Sequence, residues 1–135
     1  MQPIAITQGD PAGIGPEIVA KAFRDAPDAL RHCFVVGDVA TVRRAAGVIT
    51  RPGVPGVPVA QIGAPGEAAD VPPRCIPVLQ LPGIPGPQPW GEISPAAGRA
   101  AADSVVWAAR AALRGEVAAL VTAPLHKEAP VSYTH

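Results

Sequence analysis

The sequence has few charged and few aromatic residues, and neither sign of charge is in excess. Its 135 residues include 11 Lys and Arg against 11 Asp and Glu, and aromatic side chains make up only 4%. A nucleic-acid-binding face needs clustered basic residues, so this balance argues against a nucleic-acid partner. A chain of this length fits one ordinary domain, with few aromatic side chains to fill its core.

The sequence also lacks a long apolar run and a recognisable leader. It contains no stretch of about 18 consecutive apolar residues, which argues against a membrane-spanning helix. Met1 is followed by Gln2 and Pro3 rather than by a basic and then an apolar segment, so no secretory signal is evident. We therefore expect a cytoplasmic protein with no membrane partner.

Cysteine and metal-ligand patterns are scarce as well. Cys33 and Cys75 are too far apart for a CxxC motif, and in the cytoplasm such a pair is more often two free thiols than a disulfide. There is no HxxxH motif, Glu/His cluster or nucleophile elbow. We therefore expect no complete metal site within this chain.

Short apolar runs alternate with helix-like segments along the chain. The pattern predicts strands at 3–7, 33–36 and 117–122 and helices at 16–25, 40–46 and 94–114. The strand-like runs are apolar throughout, and parallel strands need crossover connections, so we predict an α/β fold with a parallel or mixed sheet and flanking helices. We expect the strand at 117–122 to be buried, and the alanine-rich side of the last helix to approach its neighbour closely.

Proline and glycine concentrate between residues 52 and 89. Two β-like stretches lie in this segment, at 57–62 and 74–81, and their prolines predict edge positions in the sheet. We interpret the segment as a loop-rich excursion or a neck between lobes, with a disordered linker as the alternative. The predicted division is a first βαβα part of one lobe at 1–51, the Pro/Gly-rich segment at 52–93, and a helix-strand unit leading to a cleft at 94–135.

Polar residues follow the first predicted strand, in the sequence QGDPAGIGPE at 8–17. Gly13 and Gly15 permit a ligand to approach the backbone, and a helix starting at Pro16 offers free N–H groups and a positive dipole end. The loop therefore predicts a phosphate or carboxylate site, although a tight strand-to-helix turn uses the same residues. It is not a Walker A motif, and it lacks the third glycine of the dinucleotide fingerprint.

A second polar cluster follows the last predicted strand, in the sequence TAPLHKE at 122–128. Ligands bind at the carboxyl ends of parallel strands, which is where these side chains would lie. Lys127 can pair with a phosphate, and His126 can donate a hydrogen bond or move a proton near neutral pH. We predict His126 and Lys127 as catalytic residues and Asp10 and Thr122 as substrate-binding residues, with a structural role as the alternative for His126, since a lone histidine is more often structural than catalytic.

The stretch IAITQGDPAGIGPE at 4–17 closely resembles the opening of the 4-hydroxythreonine-4-phosphate dehydrogenase family of vitamin B6 biosynthesis. Three further stretches resemble that family in the same order, at 36–38, 91–99 and 115–128. The resemblance covers nearly all of the chain outside the Pro-rich segment. It covers only the N-terminal part of the family's considerably longer protein.

This resemblance implies a homodimer with the isocitrate and isopropylmalate dehydrogenase-like fold, two α/β/α lobes and an active site in the cleft between them. It implies NAD- or NADP-dependent oxidation of 4-phosphohydroxy-L-threonine, assisted by a divalent metal such as Zn, Mg or Co, followed by loss of carbon dioxide to give 3-amino-2-oxopropyl phosphate. A paralogue acting on threonate or erythronate 4-phosphate is the alternative within the enzyme class.

The end of the chain departs from the family pattern. The family has a Gly-His-Thr-Glu motif after an interval, whereas this chain ends in APVSYTH at 129–135, with a shorter interval and no glycine before the histidine. His135 is a candidate for the substrate-binding histidine. The family's three metal-binding histidines and its later phosphate and cofactor residues would lie beyond residue 135. We therefore expect an incomplete, inactive form, with a small non-catalytic phosphate-binding module as the alternative.

Overall fold

A computed structural model describes residues 2–54, 56–84, 86–92 and 94–123. The elements in chain order are β1 (Ile4–Thr7), α1 (Gly15–Asp25), β2 (Cys33–Gly37), α2 (Val39–Val48), β3 (Val59–Ile62), a 3-10 helix (Pro65–Asp70), β4 (Ile76–Gln80), α3 (Pro95–Leu113) and β5 (Ala119–Thr122). The strands form one sheet in the order β3-β4-β2-β1-β5, and each neighbouring pair is parallel. The predicted α/β fold with a parallel sheet and flanking helices is confirmed.

Two apolar layers cover the sheet, one on each face. On one face α1 and α2 pack together over β2 and β4, and Val19, Phe23, Val42, Val35 and Val78 are buried among them. On the other face α3 and the 3-10 helix cover a second cluster, whose buried members include Ala5, Phe34, Val36, Leu79 and Ala108. The molecule is thus a three-layer α/β/α arrangement with the sheet in the middle.

The helices begin where the sequence predicts, and α3 shows the local reasons. Ser94 accepts a hydrogen bond from the Ala97 N–H and Pro95 takes the first turn. Gly115 follows the helix at φ +76°, a conformation that favours glycine. The fully buried residues of α3 are all small, namely Ala97, Gly98, Ala100, Ala101, Ser104, Ala108 and Ala111, and the partly buried Trp107 packs edge-on against Phe34 of β2. Small side chains let the helix axis lie close to the sheet, as expected.

The Pro-rich segment contributes two strands to this sheet, and one prediction about it is wrong. β3 is an edge strand as expected, but β4 lies between β3 and β2 and is buried along most of its length. Pro77 is tolerated there because the β2–β4 ladder begins one residue later, with Val35 opposite Val78. The Ile76 N–H donates to Pro58 on the β3 side, so the proline nitrogen faces β2 before pairing starts. Residues 59–62 and 76–80 are therefore strands of the sheet, joined through the 3-10 helix, and this part of the segment is not a disordered linker.

The prediction that the last strand is buried is also wrong. β5 spans Ala119–Thr122, and only Leu120 of its residues is partly buried, whereas Val121 is 52% exposed. β5 lies at the end of the described sheet and pairs with β1 on one side, which leaves its side chains less covered than those of β2 or β4. Apolar composition identified the strand but not its position in the sheet.

The three segments expected from composition each supply strands to the same sheet. Their assignment to lobe parts and a neck stays a prediction. In the described part of the chain, no helix is long and apolar enough to cross a membrane.

Candidate functional site

Because the strands are parallel, their carboxyl ends meet at one edge of the sheet, which we call the carboxyl edge. It comprises Thr7 at the end of β1 with residues 8–10 after it, residues 37–38 at the end of β2, Gln80 of β4 and Thr122 of β5. Each crossover helix runs back against the strands, so α1, α2 and α3 all begin at this edge. Thr7 of β1 lies opposite Thr122 of β5 in the register. The predicted polar stretch after β1 and the start of the second cluster therefore lie on neighbouring strands.

Asp10 determines the shape of the loop between β1 and α1. The side chain is buried, with 5% of it exposed, and its Oδ1 accepts the Ala12 N–H at 2.8 Å. The Gly13 N–H donates to the Asp10 carbonyl at 3.0 Å. Two loop amides are thus bound inside the loop and are not available to a ligand. This geometry gives Asp10 a structural role in the loop, and its predicted contact with substrate stays untested.

The glycines that the sequence singled out are not those whose backbone requires glycine. Neither Gly13 nor Gly15 has a positive φ, whereas Gly9, at the start of the loop, has φ +77°. A Cβ on Gly13 would lie 3.5 Å from the Asp10 Cβ, which is ordinary contact. The loop turns at Gly9, and the expected approach of a ligand to the backbone at Gly13 and Gly15 remains a prediction.

The N-terminus of α1 differs from those of the other two helices at this edge. Asp38 caps α2 and Ser94 caps α3 through their side chains, but Ile14, at the N-cap position of α1, makes no side-chain cap hydrogen bond. Pro16 has no N–H group, and Glu17 lies in the first turn. No side-chain oxygen caps the first amides of α1, so they are open to an anion, while the Glu17 carboxylate offsets part of the positive dipole end.

Three polar side chains join the ends of β1, β2 and β4. The Asp38 N–H donates to Gln8 Oε1 at 3.0 Å, and Gln80 Nε2 donates to Asp38 Oδ1 at 3.0 Å. Asp38 Oδ2 also accepts the N–H of Thr41 at 3.0 Å and its hydroxyl at 2.6 Å. Because Asp38 is only 4% exposed, this network fixes the ends of three strands relative to one another.

Sequence reasoning missed this network. Asp38 directly before a helix, with Thr41 three residues later, is a recognisable N-cap pattern. Gln8 and Gln80 carry no comparable signal, since their pairing depends on strand order. The need for glycine at position 37 is not visible in the sequence either, because it depends on the folded position of Gln8. A Cβ on Gly37 would lie 2.3 Å from Gln8 Oε1.

Two buried polar atoms at the carboxyl edge have no hydrogen-bond partner among the described residues. They are Thr7 Oγ1 and Gln8 Nε2, in side chains that are 1% and 0% exposed. A buried donor or acceptor without a partner costs roughly 1–3 kcal/mol, so such atoms commonly mark the position of a water or a ligand group. Thr7 is the last residue of β1, and Gln8 follows it.

A second contact set supports the β1–α1 loop from outside. Arg44 of α2 donates to the carbonyls of Pro11 and Gln88, at 3.0 and 2.7 Å, and its guanidinium lies 4.1 Å from the ring centroid of Trp90. The Gly91 N–H donates to the Ala12 carbonyl at 2.7 Å. The 88–91 segment thus lies against the loop, a contact that no local sequence pattern predicts.

The remaining predicted site residues divide into two groups. Thr122 is exposed at the end of β5, where a ligand can reach it. His126, Lys127 and His135 lie outside the described residues.

The opposite edge of the sheet carries a cavity of about 630 Å³. It is lined near the starts of β2 and β4 by Cys33 and Cys75, together with Arg31 and Arg74. Both cysteines are free, as expected, and burial raises the pKa of each thiol. The described residues contain no group of three His, Cys, Asp or Glu side chains that could bind a metal ion. This cavity is remote from every predicted site residue that the structure describes.

The model of one protein family matches residues 29–133 of the chain, and its description is pyridoxal phosphate biosynthetic protein PdxA. The 4-hydroxythreonine-4-phosphate dehydrogenase of Trichlorobacter lovleyi is 40% identical over an aligned length of 129 residues, which covers 93% of this chain and 37% of that protein. The D-threonate 4-phosphate dehydrogenase of Salmonella typhimurium is also 40% identical, over 131 residues, which are 93% of this chain and 38% of that protein.

Solved structures agree with the fold. The crystal structure of 4-hydroxythreonine-4-phosphate dehydrogenase from Klebsiella pneumoniae superposes with a TM-score of 0.86 at 37% identity, over 100% of this chain and 41% of that one. The enzyme of the same name from Burkholderia phymatum gives a TM-score of 0.86 at 32% identity, over 100% and 40% of the two chains. The chain thus spans about two fifths of the length of the relatives that it matches.

Proposed function

The chain belongs to the pyridoxal phosphate biosynthetic protein PdxA family, and from that membership we propose that the whole protein is a dehydrogenase of 4-phosphohydroxy-L-threonine. In this reaction the hydroxyl carbon gives a hydride to NAD or NADP and the hydroxyl proton is released, which forms a ketone. The resulting β-keto acid then loses carbon dioxide and takes up a proton, and the product is 3-amino-2-oxopropyl phosphate. We further propose that the 135 residues are an incomplete form that does not turn over alone.

One observation on the described residues supports the proposal most directly. The β1–α1 loop lies at the carboxyl edge of a parallel sheet and leads into a helix whose N-terminus no side chain caps. This is the place and the electrostatic environment that favour a phosphate or carboxylate group. A small phosphorylated acid carries both groups.

The described side chains have separate roles in this proposal. Asp10 binds the Ala12 amide and so keeps the loop in shape before α1 begins. Thr122, exposed beside the end of β1, offers a hydroxyl to the substrate. Thr7 Oγ1 and Gln8 Nε2 are buried at the same edge of the sheet without partners among the described residues and can bind a water or a substrate oxygen. His126 and Lys127 as catalytic residues, and His135 as a substrate ligand, remain predictions.

The described residues fit an anion but not a metal ion, because they contain no cluster of three candidate ligands. They also do not complete a dinucleotide-binding fingerprint. Gly13 and Gly15 match its first two glycines, but no glycine follows three residues after Gly15. The family resemblance implies that the metal ligands and the later cofactor residues lie beyond residue 135. We propose a cytoplasmic homodimer for the whole enzyme on the same basis.

A chimaeric enzyme tests this function. Residues 1–123 would replace the corresponding segment of the Trichlorobacter lovleyi dehydrogenase, whose own sequence supplies everything that follows. We expect the chimaera to reduce NAD or NADP with 4-phosphohydroxy-L-threonine, and the 135-residue chain to show no turnover. A chimaera that folds and binds its cofactor but oxidises neither this substrate nor its aldonate analogue would overturn the proposal. Turnover by the 135-residue chain would refute the incomplete form.

D-Threonate 4-phosphate is the second candidate substrate. This candidate is favoured by the D-threonate 4-phosphate dehydrogenase of Salmonella typhimurium, which is 40% identical to the chain. The 4-hydroxythreonine-4-phosphate dehydrogenase of Trichlorobacter lovleyi has the same identity. The two substrates differ in that the aldonate lacks the ammonium group. Because specificity also depends on residues outside the exchanged segment, the same segment placed in the Salmonella typhimurium enzyme is the matched control. If residues 1–123 contribute to the choice, the ratio of kcat/KM for the two substrates will shift in the same direction in both chimaeras.

A further inference from the structure

The cavity at the edge of the sheet opposite the carboxyl edge combines apolar walls with two arginines. Its volume is about 630 Å³, which lies within the range of small-molecule sites in proteins. Apolar side chains form much of the wall, among them Phe23 of α1, Leu30, Val71, Pro73 and Pro77 of β4. We infer that this cavity binds a small monocarboxylate with an apolar chain, an inference that is independent of the proposed function.

Three charged side chains line the cavity, and positive charge is in excess. Arg31 and Arg74 each carry one positive charge, and Asp28 carries one negative charge. Among the described residues neither of these arginines has a hydrogen bond or an ion pair, whereas Arg24 and Arg114 are each paired with an acid. A free guanidinium offers parallel N–H donors that match the two oxygens of a carboxylate. The charged groups of the cavity therefore complement a monoanion.

The apolar part of the wall determines what the ligand carries besides its carboxylate. A hydroxyl or ammonium group that is buried without a hydrogen-bond partner costs free energy, and apolar side chains offer it no partner. An alkyl chain in the same place gains free energy because its surface is removed from water. A small acid rich in hydroxyl groups therefore fits this cavity poorly, and a carboxylate with an alkyl chain fits it well.

Arg74 has a backbone conformation that its turn would more readily give to glycine. The Cys75 N–H donates to the Pro72 carbonyl at 3.2 Å, and Arg74, the third residue of this turn, has φ +69°. Proline at the second position and a positive φ at the third are the pattern of a type II turn, whose third residue is usually glycine. Among the described residues Arg74 alone has a positive φ without being glycine. Backbone strain thus accompanies a side chain that lines the cavity, and a substitution can separate the two.

Octanoate is the probe, titrated into the 135-residue chain while the amide resonances of the non-proline residues in 27–33 and 68–77 are followed by NMR. We expect saturable shifts there, weaker binding of the uncharged octan-1-ol, and no saturable shift with acetate at the same concentrations. Arg31→Gln and Arg74→Gly should each weaken octanoate binding about three- to fivefold, the scale of a partly exposed ion pair, and Asp28→Asn should strengthen it. Arg43→Gln removes one positive charge from an exposed position of α2 outside the cavity and should leave the affinity within about a factor of two.

Arg74→Gly also distinguishes a ligand-binding arginine from one with only a structural role. Glycine adopts a positive φ without strain, so this variant should unfold at a higher urea concentration than the parent chain while it binds octanoate more weakly. Arg74→Asn, which also tolerates this conformation, repeats the binding test if the glycine variant does not fold. The inference is overturned if octanoate gives no saturable shift of the cavity amides or if acetate binds as tightly as octanoate. It is also overturned if Arg31→Gln and the variant at position 74 both bind octanoate as the parent chain does.

Discussion

Gly37 shows how a single residue can determine the geometry of the carboxyl edge. The Gln8 side chain crosses this position, and its Oε1 accepts the next N–H in the chain, that of Asp38. A Cβ on Gly37 would lie 2.3 Å from that Oε1 and 2.4 Å from Cδ of the same side chain. Gln8 is fully buried, so it cannot swing into solvent to make room.

We therefore expect Gly37→Ala to lower the free energy of unfolding by about 1–3 kcal/mol, because the new methyl group displaces Gln8 and breaks its bond to Asp38. Urea unfolding monitored by circular dichroism measures this change. Gly47→Ala is the control, since Gly47 lies near the end of α2 with open space around it. That substitution should raise stability by about 0.5–1 kcal/mol through helix propensity. Equal effects at both positions would contradict the role given to Gly37.

The two cysteines lead to a prediction about pH. Burial raises the pKa of both thiols, so at neutral pH each is protonated more fully than an exposed cysteine. Since only the thiolate is alkylated, iodoacetamide should react more slowly with the folded chain than with a short cysteine peptide at pH 7. As pH increases, the alkylation rate should rise at a higher pH in the folded chain than in the peptide. Unfolding in urea should abolish this difference. Peptide-like rates in the folded chain would show that the thiols are not protected.

At the scale of elements, α3 shows what the sequence could predict and what it could not. Its N-cap Ser94, its first-turn Pro95 and the glycine after its end are local signals, and they located the helix to within a residue. Its position over β1 and β2 depends on strand order, which local patterns do not contain. The same limit explains why β4 was expected at an edge because of Pro77, and why β5 was expected to be buried.

The candidate site divides in the same way. Asp10 and Thr122 are predicted because polar residues follow strand-like runs, and the register places the two strands side by side, while their contact with substrate stays a prediction. Gln8, Gln80 and Arg44 were missed because each acts on a partner more than 29 residues away, through contacts that exist only after folding. Such residues have no local pattern.

The close approach of α3 to the sheet can be tested with one substitution. Ala108 lies on the side of α3 that packs against the sheet and is 0% exposed. Ala108→Leu should therefore destabilise the chain by about 1–3 kcal/mol through overpacking. Ala96→Leu, in the exposed first turn of the same helix, should change stability by less than about 0.5 kcal/mol. Urea unfolding of both variants measures the difference. A tolerated leucine at position 108 would mean that the helix lies farther from the sheet than described.

At the scale of the whole molecule, the exposed β5 strand and the alanine-rich core side of α3 indicate limited stability. β5 has one described neighbour, and Val121 and Leu113 are 52% and 89% exposed. Open strand edges and exposed apolar side chains favour association, and a small core provides little stability. We expect the isolated 135-residue chain to be folded at low temperature, where the titrations and urea measurements are made, but to unfold at a low transition temperature. Calorimetry measures this temperature, and a transition of the monomer at high temperature would contradict this expectation.

The central claim is that the carboxyl edge, and not the cavity at the opposite edge, binds the small phosphorylated acid. The most direct test is a titration of the 135-residue chain with 4-phosphohydroxy-L-threonine, in which amide resonances from both edges are followed by NMR. We predict that the amides of the non-proline residues in 12–17 shift, while those of the non-proline residues in 27–33 and 68–77 around the cavity do not. Shifts confined to the cavity residues would contradict the claim.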